Sequence, residues 1–548
     1  MTFFSKKIFH FLLLFQVLLC SKVEARWSVK EDSPYECCLY DRNIIIDENG
    51  KTEETIEESY IILNEKGRSD IGTFNIIYNS STEKHKVIEA KTIVEGKEYK
   101  VDKDKIVSKP ISGNVNGFDT IQQVTISFPK VEIGAKIYLK TKVINHNPAL
   151  NEHFAFDFYF GSGVYLQKAT IVLHSKIPLF IKKNDPHKAL EVHQEKRGDL
   201  YIIKASNTKP LVTSLTNEAT NSIIMPSDQT FMEVSSLNSF ESLGNLLVNG
   251  YEKSLKVPLM PSLDSIKKEA EKAKKTTDQI NAVTSMVSSL IRYMGDWRSN
   301  EGRFQPRSLV EILRSGFGDC KDYSVVVGRI LRAMGYDVNV ALVWRGLPYL
   351  ERGERLPSLS AFNHAMLKVV DKSGATYWID PTNMVSMSNF IFPDISNRHA
   401  LVLKPGKSTY EFIPAIKSSE NVTKKFQYLA FFPDYIGVRG NVELRGVSAL
   451  NVTGLGLLMS LRAIEESFIK EISDDTNPVD ISLSLPDLTS RIVKNVVCQY
   501  SFKEKDVLYT TTDGSGLDMS SYSIEPILNI RDDHKGALFL GLPSINIR

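Results

Sequence analysis

Short runs of β-branched and apolar residues dominate the first half of the chain and predict β structure. Four of them lie at residues 59–63, 86–90, 124–128 and 137–143, and turn-forming residues such as glycine, asparagine and aspartate separate them. This spacing predicts a β-sandwich module over residues 26–238, with one large curved sheet as the alternative.

The apolar period changes to that of α-helices after residue 238. Candidate helices occupy residues 240–251, 266–275 and 280–293, and a further amphipathic helix follows Cys320. Short β-prone runs come next, at residues 338–344, 364–370 and 377–379. This mixture predicts an α+β core over residues 239–414.

The remaining residues, 415–548, again favour strands. A single helix is predicted over residues 457–472, and β-prone runs surround it at residues 437–444, 480–485, 492–500 and 527–530. We therefore expect a C-terminal β-rich accessory domain with one helix. A chain of 548 residues is too long for one hydrophobic core, so the predicted fold class is α+β with several domains.

The first 25 residues have the pattern of an export signal. Lys6 and Lys7 precede an apolar run at residues 8–19, and a small residue, Ala25, stands where an export peptidase cleaves. The run is shorter than the roughly 20 residues that span a bilayer. The sequence thus predicts a signal peptide at residues 1–25, no transmembrane segment, and a secreted or periplasmic protein.

Charge and motif content exclude several function classes. The formal net charge is only +2, which gives no long-range attraction for polyanions, so no nucleic-acid partner is expected. His146 and His153 lack the partner spacing of a zinc site, and no cofactor motif is present. We therefore expect neither a metal nor a cofactor.

Cys320 is the first candidate for chemistry. Gly316 and Gly318 allow the chain to approach a helix start tightly, and Asp319 is a favourable N-cap residue directly before the thiol. The positive end of a helix dipole stabilises a thiolate, which is the attacking species. A buried structural cysteine is the ordinary alternative for a lone thiol.

His364 and Asp380 favour a catalytic role for Cys320 over a structural one. Each lies at an end of a β-prone run, and the turn at residues 371–374 would make the two runs neighbours in one sheet. A base and a carboxylate that orients it would then stand beside the thiol. We predict Cys320, His364 and Asp380 as a catalytic triad.

The same residues carry a family resemblance. Gly-Asp-Cys-Lys-Asp at residues 318–322, Phe-Asn-His at 362–364 and Tyr-Trp-Ile-Asp-Pro-Thr at 377–382 resemble, in order and spacing, the transglutaminase-like superfamily with its papain-like core. The match covers residues 291–403. Residues 304–307 and 397–403 also fit the variant found in bacterial exported proteins, where the core follows a β-rich module of unknown function; the N-terminal half looks like that module.

The resemblance implies a role for each residue and a reaction. Cys320 would be the nucleophile, His364 the general base and Asp380 the residue that holds the imidazole, and a protein or peptide amide would give an acyl-enzyme. Hydrolysis is favoured over cross-linking, because no feature identifies an amine-binding site. Gln305 is a candidate oxyanion donor, as a side-chain amide is in papain-like enzymes, with Trp297 or a backbone amide as alternatives.

Two further residues are candidate specificity elements. Trp344 and Arg345 stand at the end of the run 338–344, before an aperiodic segment at residues 349–360, and loops near a site often set substrate choice. The rival interpretation of the whole chain is a catalytically silent envelope or secreted scaffold that uses the core for binding. Either type of protein could bind an envelope or surface partner through its β domains.

The other cysteines leave the disulfide pattern open. Cys37 and Cys38 are adjacent and would form a strained ring with each other. One of them could pair with Cys498, or all three could be free thiols.

Overall fold

The computed structural model describes most of the chain. The described residues are 25–111, 117–299, 303–349, 355–383, 385, 388, 390–473, 478–488, 492–493, 495–505, 508–517, 534–539, 541 and 545–547. The predicted signal peptide, apart from Ala25, and the β-prone run at 527–530 lie outside these residues. None of the described helices has the length and apolar character of a membrane span.

A nine-stranded sheet forms one layer of the N-terminal part. Alternation of apolar and charged residues makes its strands two-faced, and ion pairs such as Lys140 with Glu57 lie on the polar face. In sheet order the strands are Leu190–Arg197, Leu200–Asn207, Ala169–Ser175, Tyr35–Ile46, Thr52–Ile62, Lys136–Asn145, Glu83–Val94 and Lys97–Lys100, with Tyr165–Leu166 beside Tyr35–Ile46.

Two three-stranded sheets cover the apolar face of that layer. One consists of Ala155–Phe160, Thr230–Ser235 and Phe180–Asn184, and the other of Thr73–Asn79, Ile121–Ser127 and Ile106–Pro110. Their apolar residues pack on the long strands in two clusters, and Tyr60 contacts both. A short helix, Glu65–Ile71, and the paired strands Arg26–Trp27 and Leu215–Thr216 complete this part.

In its described residues, the central part places five helices against an antiparallel five-stranded sheet. The helices are Phe240–Leu255, Pro261–Ala270, Thr276–Leu290, Leu309–Ser315 and Cys320–Ala333. In sheet order the strands are Thr376–Ile379, His364–Val370, Asp337–Val343, Arg398–Leu403 and Thr409–Ile413. We call Cys320–Ala333 the cysteine helix; it packs on the strands His364–Val370 and Asp337–Val343 through the main apolar core.

Short strand pairs join the parts of the chain. Arg292–Tyr293 pairs with Phe317–Gly318 just before the cysteine helix. Gly295–Asp296 pairs with Gly117–Phe118, and Ser222–Ile223 pairs with Ala537–Leu538. The loop before Cys320 therefore contacts the N-terminal part directly. A further short strand is Phe304–Gln305.

The C-terminal part contains two helices in the described residues, where the sequence predicts one. Val447–Leu458 and Leu461–Ile472 are separated at Met459, whose backbone is extended, and Ser460 caps the second helix by accepting a hydrogen bond from the Ala463 N–H. Apolar residues occur on all sides of the first helix, so no helical period marks it. The sheet here consists of Pro478–Ser484, Val496–Glu504, Ile436–Leu444, Val422–Phe431 and Ile545–Ile547, and Leu508–Thr511 pairs with Gly514–Leu517.

The architecture is thus a mixed α+β fold with several sheets.

Candidate active site

Cys320 is the first residue of the cysteine helix and is 9% exposed. Asp319 caps the helix, since its Oδ1 accepts a hydrogen bond from the Lys321 N–H at 3.1 Å. Glycine is required at position 318, because a Cβ there would lie 2.7 Å from the Cβ of Asp322. These local contacts fix the thiol at the positive end of a 14-residue helix.

His364 and Asp380 meet at the end of two neighbouring strands. His364 begins one strand, Asp380 directly follows the other, and the pairing of Leu367 with Ile379 sets their alignment. His364 Nε2 lies 3.0 Å from Asp380 Oδ1, and the Cys320 side chain contributes to the raised pKa of the imidazole. Because Nε2 faces the carboxylate, Nδ1 is the ring nitrogen that remains for another partner.

Burial and charge act in opposite directions on His364. Burial lowers the pKa of the imidazole, but the charge of Asp380 and hydrogen bonds to Asp380 and Cys320 outweigh it and raise the pKa to about 10. His364 is 7% exposed. The ring is therefore held as an imidazolium near neutral pH, next to the sulfur.

Asp380 is buried yet ionised. Burial raises the pKa of its carboxyl group, but the charges of His364 and Arg345 outweigh that effect and hold the pKa well below its usual range. Thr382 donates two hydrogen bonds to Asp380 Oδ1, from its backbone N–H at 3.0 Å and its hydroxyl at 2.7 Å. The carboxylate thus has a fixed orientation toward the imidazole.

Arg345 lies against Asp380. Its Nη1 is 2.8 Å from Asp380 Oδ2, and its Nε is 2.6 Å from Asp394 Oδ2. Asn383 accepts a further hydrogen bond from Nη2 at 2.9 Å. Sequence reasoning grouped Arg345 with Trp344 as specificity elements; the structure places the guanidinium behind the carboxylate and leaves Trp344 41% exposed.

Asn363 links the histidine strand to this arginine. Its side-chain Oδ1 accepts from the Arg345 backbone N–H at 2.5 Å, and its Nδ2 donates to the Arg345 carbonyl at 2.9 Å. Sequence reasoning assigned no role to Asn363 or Thr382. Asn363 directly precedes His364, and Thr382 lies two residues after Asp380. These positions could have indicated a role, since short polar residues commonly form hydrogen bonds with nearby backbone groups.

Trp297 and Gln305, the two candidate oxyanion side chains, both contact other residues. The Trp297 indole N–H donates to Asp319 Oδ2 at 2.7 Å. Gln305 packs against Gly250 of the helix Phe240–Leu255, where a Cβ would lie 2.6 Å from Gln305 Oε1. The Trp297 donor is therefore engaged by the N-cap residue, and Gln305 is packed on a neighbouring helix.

Tyr293 is a residue near the thiol that sequence reasoning missed. Its strand pairs it with Gly318, two residues before Cys320. Burial raises the pKa of its hydroxyl above the usual range, and the charges of Cys320 and Asp319 raise it further. The phenol therefore stays protonated and is available as a donor close to the sulfur.

The charged residues that flank Cys320 are paired with other groups. Lys321 Nζ lies 2.5 Å from Asp319 Oδ2, and Arg307 Nε donates to Asp322 Oδ2 at 2.9 Å. Arg307 also donates through Nη2 to the Phe317 carbonyl at 2.5 Å. These buried ion pairs hold the loop that leads into the cysteine helix.

Three further cysteines, Cys37, Cys38 and Cys498, lie in the described residues. All four described cysteines are free thiols. Mainly through burial, the pKa of Cys37 is raised to about 12 and that of Cys498 to about 11. Burial also raises the pKa of Cys38. Within the described residues, no three His, Cys, Asp or Glu side chains form a metal-binding group.

Comparison with known families matches one region of the chain. Residues 48–212 match a family described as a domain of unknown function with a solved structure, DUF3857. No curated protein matches the chain.

Solved structures resemble a larger share of the chain. A proposed protease from Parabacteroides distasonis ATCC 8503 aligns with a TM-score of 0.54 at 10% identity, over 88% of this chain and 94% of that one. A proposed cysteine protease from Cytophaga hutchinsonii aligns with a TM-score of 0.17 at 9% identity, over 64% of this chain and 80% of that one. The periplasmic domain of TgpA from Pseudomonas aeruginosa aligns with a TM-score of 0.19 at 13% identity, over 54% of this chain and 90% of that one. Residues 48–212 therefore resemble the DUF3857 family, and the chain shares the overall fold of the Parabacteroides distasonis protein.

Proposed function

We propose that this protein is a transglutaminase-like thiol enzyme that forms an acyl-enzyme from a protein or peptide amide, with hydrolysis favoured over cross-linking. The observation that carries the proposal is the position of His364, which lies 3.0 Å from Asp380 and whose pKa is raised by both Asp380 and Cys320. A nucleophile, a base and an orienting carboxylate in series are the parts that nucleophilic acyl transfer needs.

The proposed reaction is a defined sequence of proton transfers. His364 takes the thiol proton, and the Cys320 sulfur attacks the amide carbonyl to form a C–S bond and an oxyanion. As the C–N bond breaks, His364 gives its proton to the leaving amine. Water then attacks the thioester while His364 removes its proton, and the thiolate leaves with release of the acid.

The developing oxyanion needs hydrogen-bond donors. The Cys320 backbone N–H, at the first position of its helix, is one proposed donor. Gln305 remains the proposed second donor, and the Tyr293 hydroxyl is an alternative, because it lies close to the sulfur and stays protonated.

The proposed organisation is a signal peptide at residues 1–25, an N-terminal module at 26–238, the papain-like catalytic core at 239–414 and an accessory domain at 415–548. Export to the periplasm or the exterior follows from the N-terminal sequence pattern. The Parabacteroides distasonis protein, whose fold this chain shares, is named a proposed protease, which agrees with hydrolysis.

Thiol labelling tests the proposal against the silent-scaffold alternative. Iodoacetamide at pH 7 should alkylate Cys320 selectively, since burial keeps Cys37 and Cys498 protonated, and mass spectrometry of peptides identifies the site. His364→Ala should slow this labelling at least about tenfold. His193→Ala is the matched control, because His193 is 68% exposed and pairs only with the surface residue Glu191 in its salt bridge. Equal, slow labelling of all cysteines in the wild type would support the scaffold.

The acyl acceptor is tested separately. Peptides and denatured proteins are incubated with the enzyme with and without methylamine, and products are analysed by mass spectrometry. Free carboxylates in both reactions support hydrolysis, whereas methylamide products that dominate when methylamine is present would identify a transferase.

A further inference from the structure

A cavity of about 520 Å³ is lined in part by Trp344, which directly follows Val343, the strand partner of His364. This volume falls within the roughly 300–1,000 Å³ typical of ligand sites. The residues that line it come from distant segments: Asp157, Ile223, Ile224, Pro226, Gln229, Phe240, Trp344, Pro348, Tyr349, Arg355, Ser360, Ala361 and Tyr410. The N-terminal part and the central part therefore both contribute walls.

Two residues that line the cavity are near triad residues along the chain. Trp344 directly precedes Arg345, whose guanidinium contacts Asp380. Ala361 lies three residues before His364. A peptide that extends from the thiol along this connection would reach the cavity.

The N-terminal part fixes one wall. Arg355 Nε donates to Glu233 Oε1 at 2.7 Å, and the Leu356 N–H donates to Glu233 Oε2 at 3.2 Å. The Ser235 hydroxyl donates to the Pro357 carbonyl at 2.7 Å. Because both Glu233 and Ser235 are buried in the strand Thr230–Ser235, the segment 355–361 is anchored and the cavity is preformed.

Aromatic rings contribute to the other walls, together with the polar residues Asp157 and Gln229. The Phe240 ring stacks on Tyr410 with centroids 4.3 Å apart. Trp344 keeps 41% of its surface exposed at this place, although burial of an indole is strongly favourable. Because the Arg355 charge is paired with Glu233, the exposed Trp344 indole is the main apolar group that a ligand would contact.

We propose that this cavity binds a large aromatic side chain of a peptide substrate and selects peptides that carry one. The proposal rests on the proposed function in that it names the substrate class of the same site. Rings of the ligand would pack on Trp344 and Phe240 in the offset or edge-on geometry that aromatic pairs prefer. The N-terminal part is then a component of substrate recognition.

Binding to a variant that cannot form an acyl-enzyme tests this proposal. Full-length Cys320→Ala is titrated by calorimetry with acetylated, amidated tetra-alanine peptides in which one position at a time is replaced by Phe. At least one Phe peptide should bind about tenfold or more tightly than tetra-alanine. Adding Trp344→Ala should remove the difference, and Trp27→Ala, a substitution of the 39% exposed Trp27 far along the chain, should preserve it.

A cavity-filling variant gives a second measurement. Ser360→Trp places a ring inside the cavity at an exposed position and should abolish the preference for Phe without loss of the folded state by circular dichroism. Equal binding of all peptides, or a preference that survives both Trp344→Ala and Ser360→Trp, would overturn the proposal.

The two proposals fail in different ways. Wild-type protein that shows no selective alkylation of Cys320 but retains the Phe preference would refute the enzyme and preserve the binding site. Selective alkylation and turnover with no Phe preference would preserve the enzyme and refute the aromatic cavity.

Discussion

Arg345 Nη1 lies 2.8 Å from Asp380 Oδ2, on the side of the carboxylate opposite to His364. The other oxygen, Oδ1, lies 3.0 Å from His364 Nε2. One buried carboxylate is thus shared by two cations. We infer that Arg345 is a positioning residue, which keeps Asp380 ionised and aimed at the imidazole.

Arg345→Met should destabilise the protein. The variant removes one partner from a carboxylate whose side chain is fully buried, which typically costs about 3–5 kcal/mol, and urea denaturation measures the change in the free energy of unfolding. Arg298→Met is the matched control. Its partner Asp296 is paired near the surface, so a loss of about 0–1 kcal/mol is expected. Similar losses in the two variants would contradict the assignment of Arg345.

Asp380→Asn should leave the fold intact and reduce activity. The amide lacks the charge that stabilises the His364 imidazolium, and a change of this kind in a triad lowers kcat by up to about 10⁴-fold. The rate of Cys320 alkylation at pH 7 should fall in parallel, while the circular dichroism spectrum is unchanged. A variant with full alkylation reactivity would show that His364 does not depend on Asp380.

The pH dependence follows from the raised pKa of His364. Protonation of the leaving amine requires the imidazolium, so kcat/KM should fall as the pH rises through about 10. This alkaline decrease in kcat/KM should occur at lower pH in Asp380→Asn. An alkaline limb near the ordinary histidine value of about 6.5 would contradict the ion pair.

The free energy of unfolding should also decrease as the pH rises and His364 loses its proton. A pKa raised on folding contributes stability that is complete below the unfolded value of about 6.5 and is lost as the pH rises to about 10. The difference in unfolding free energy between wild type and His364→Ala should therefore be larger at pH 6 than at pH 10. Urea titrations at the two pH values measure it, and an equal difference at both would oppose a protonated His364.

Asp319→Ala should leave the charge of the buried residue Lys321 without its partner. Asp319 accepts from Lys321 Nζ, the Lys321 N–H and the Trp297 indole, and Lys321 is only 7% exposed. The expected loss is about 3–5 kcal/mol. Adding Lys321→Met should restore part of the stability, because no unpaired charge then remains buried. A double variant no more stable than Asp319→Ala would show that the cap alone accounts for the loss.

Much of the local structure could be predicted from adjacent residues. The helix that begins at Cys320 follows from Asp319, the preceding glycines and the apolar period after it. The strand that begins at His364 and the strand before Asp380 follow from short apolar runs with a turn between them. The helix Val447–Leu458 was missed, because its apolar residues lack a helical period.

The sequence by itself indicated the helix that begins at Cys320, the strands next to His364 and Asp380, and three side chains that could act together, because caps, turns and periodicity act within a few neighbouring residues. Only the tertiary structure decided that Arg345 pairs with Asp380, that Trp297 bonds Asp319, and that Glu233 anchors the segment 355–361. Those contacts join residues far apart in the chain, and their formation depends on how whole sheets and helices pack.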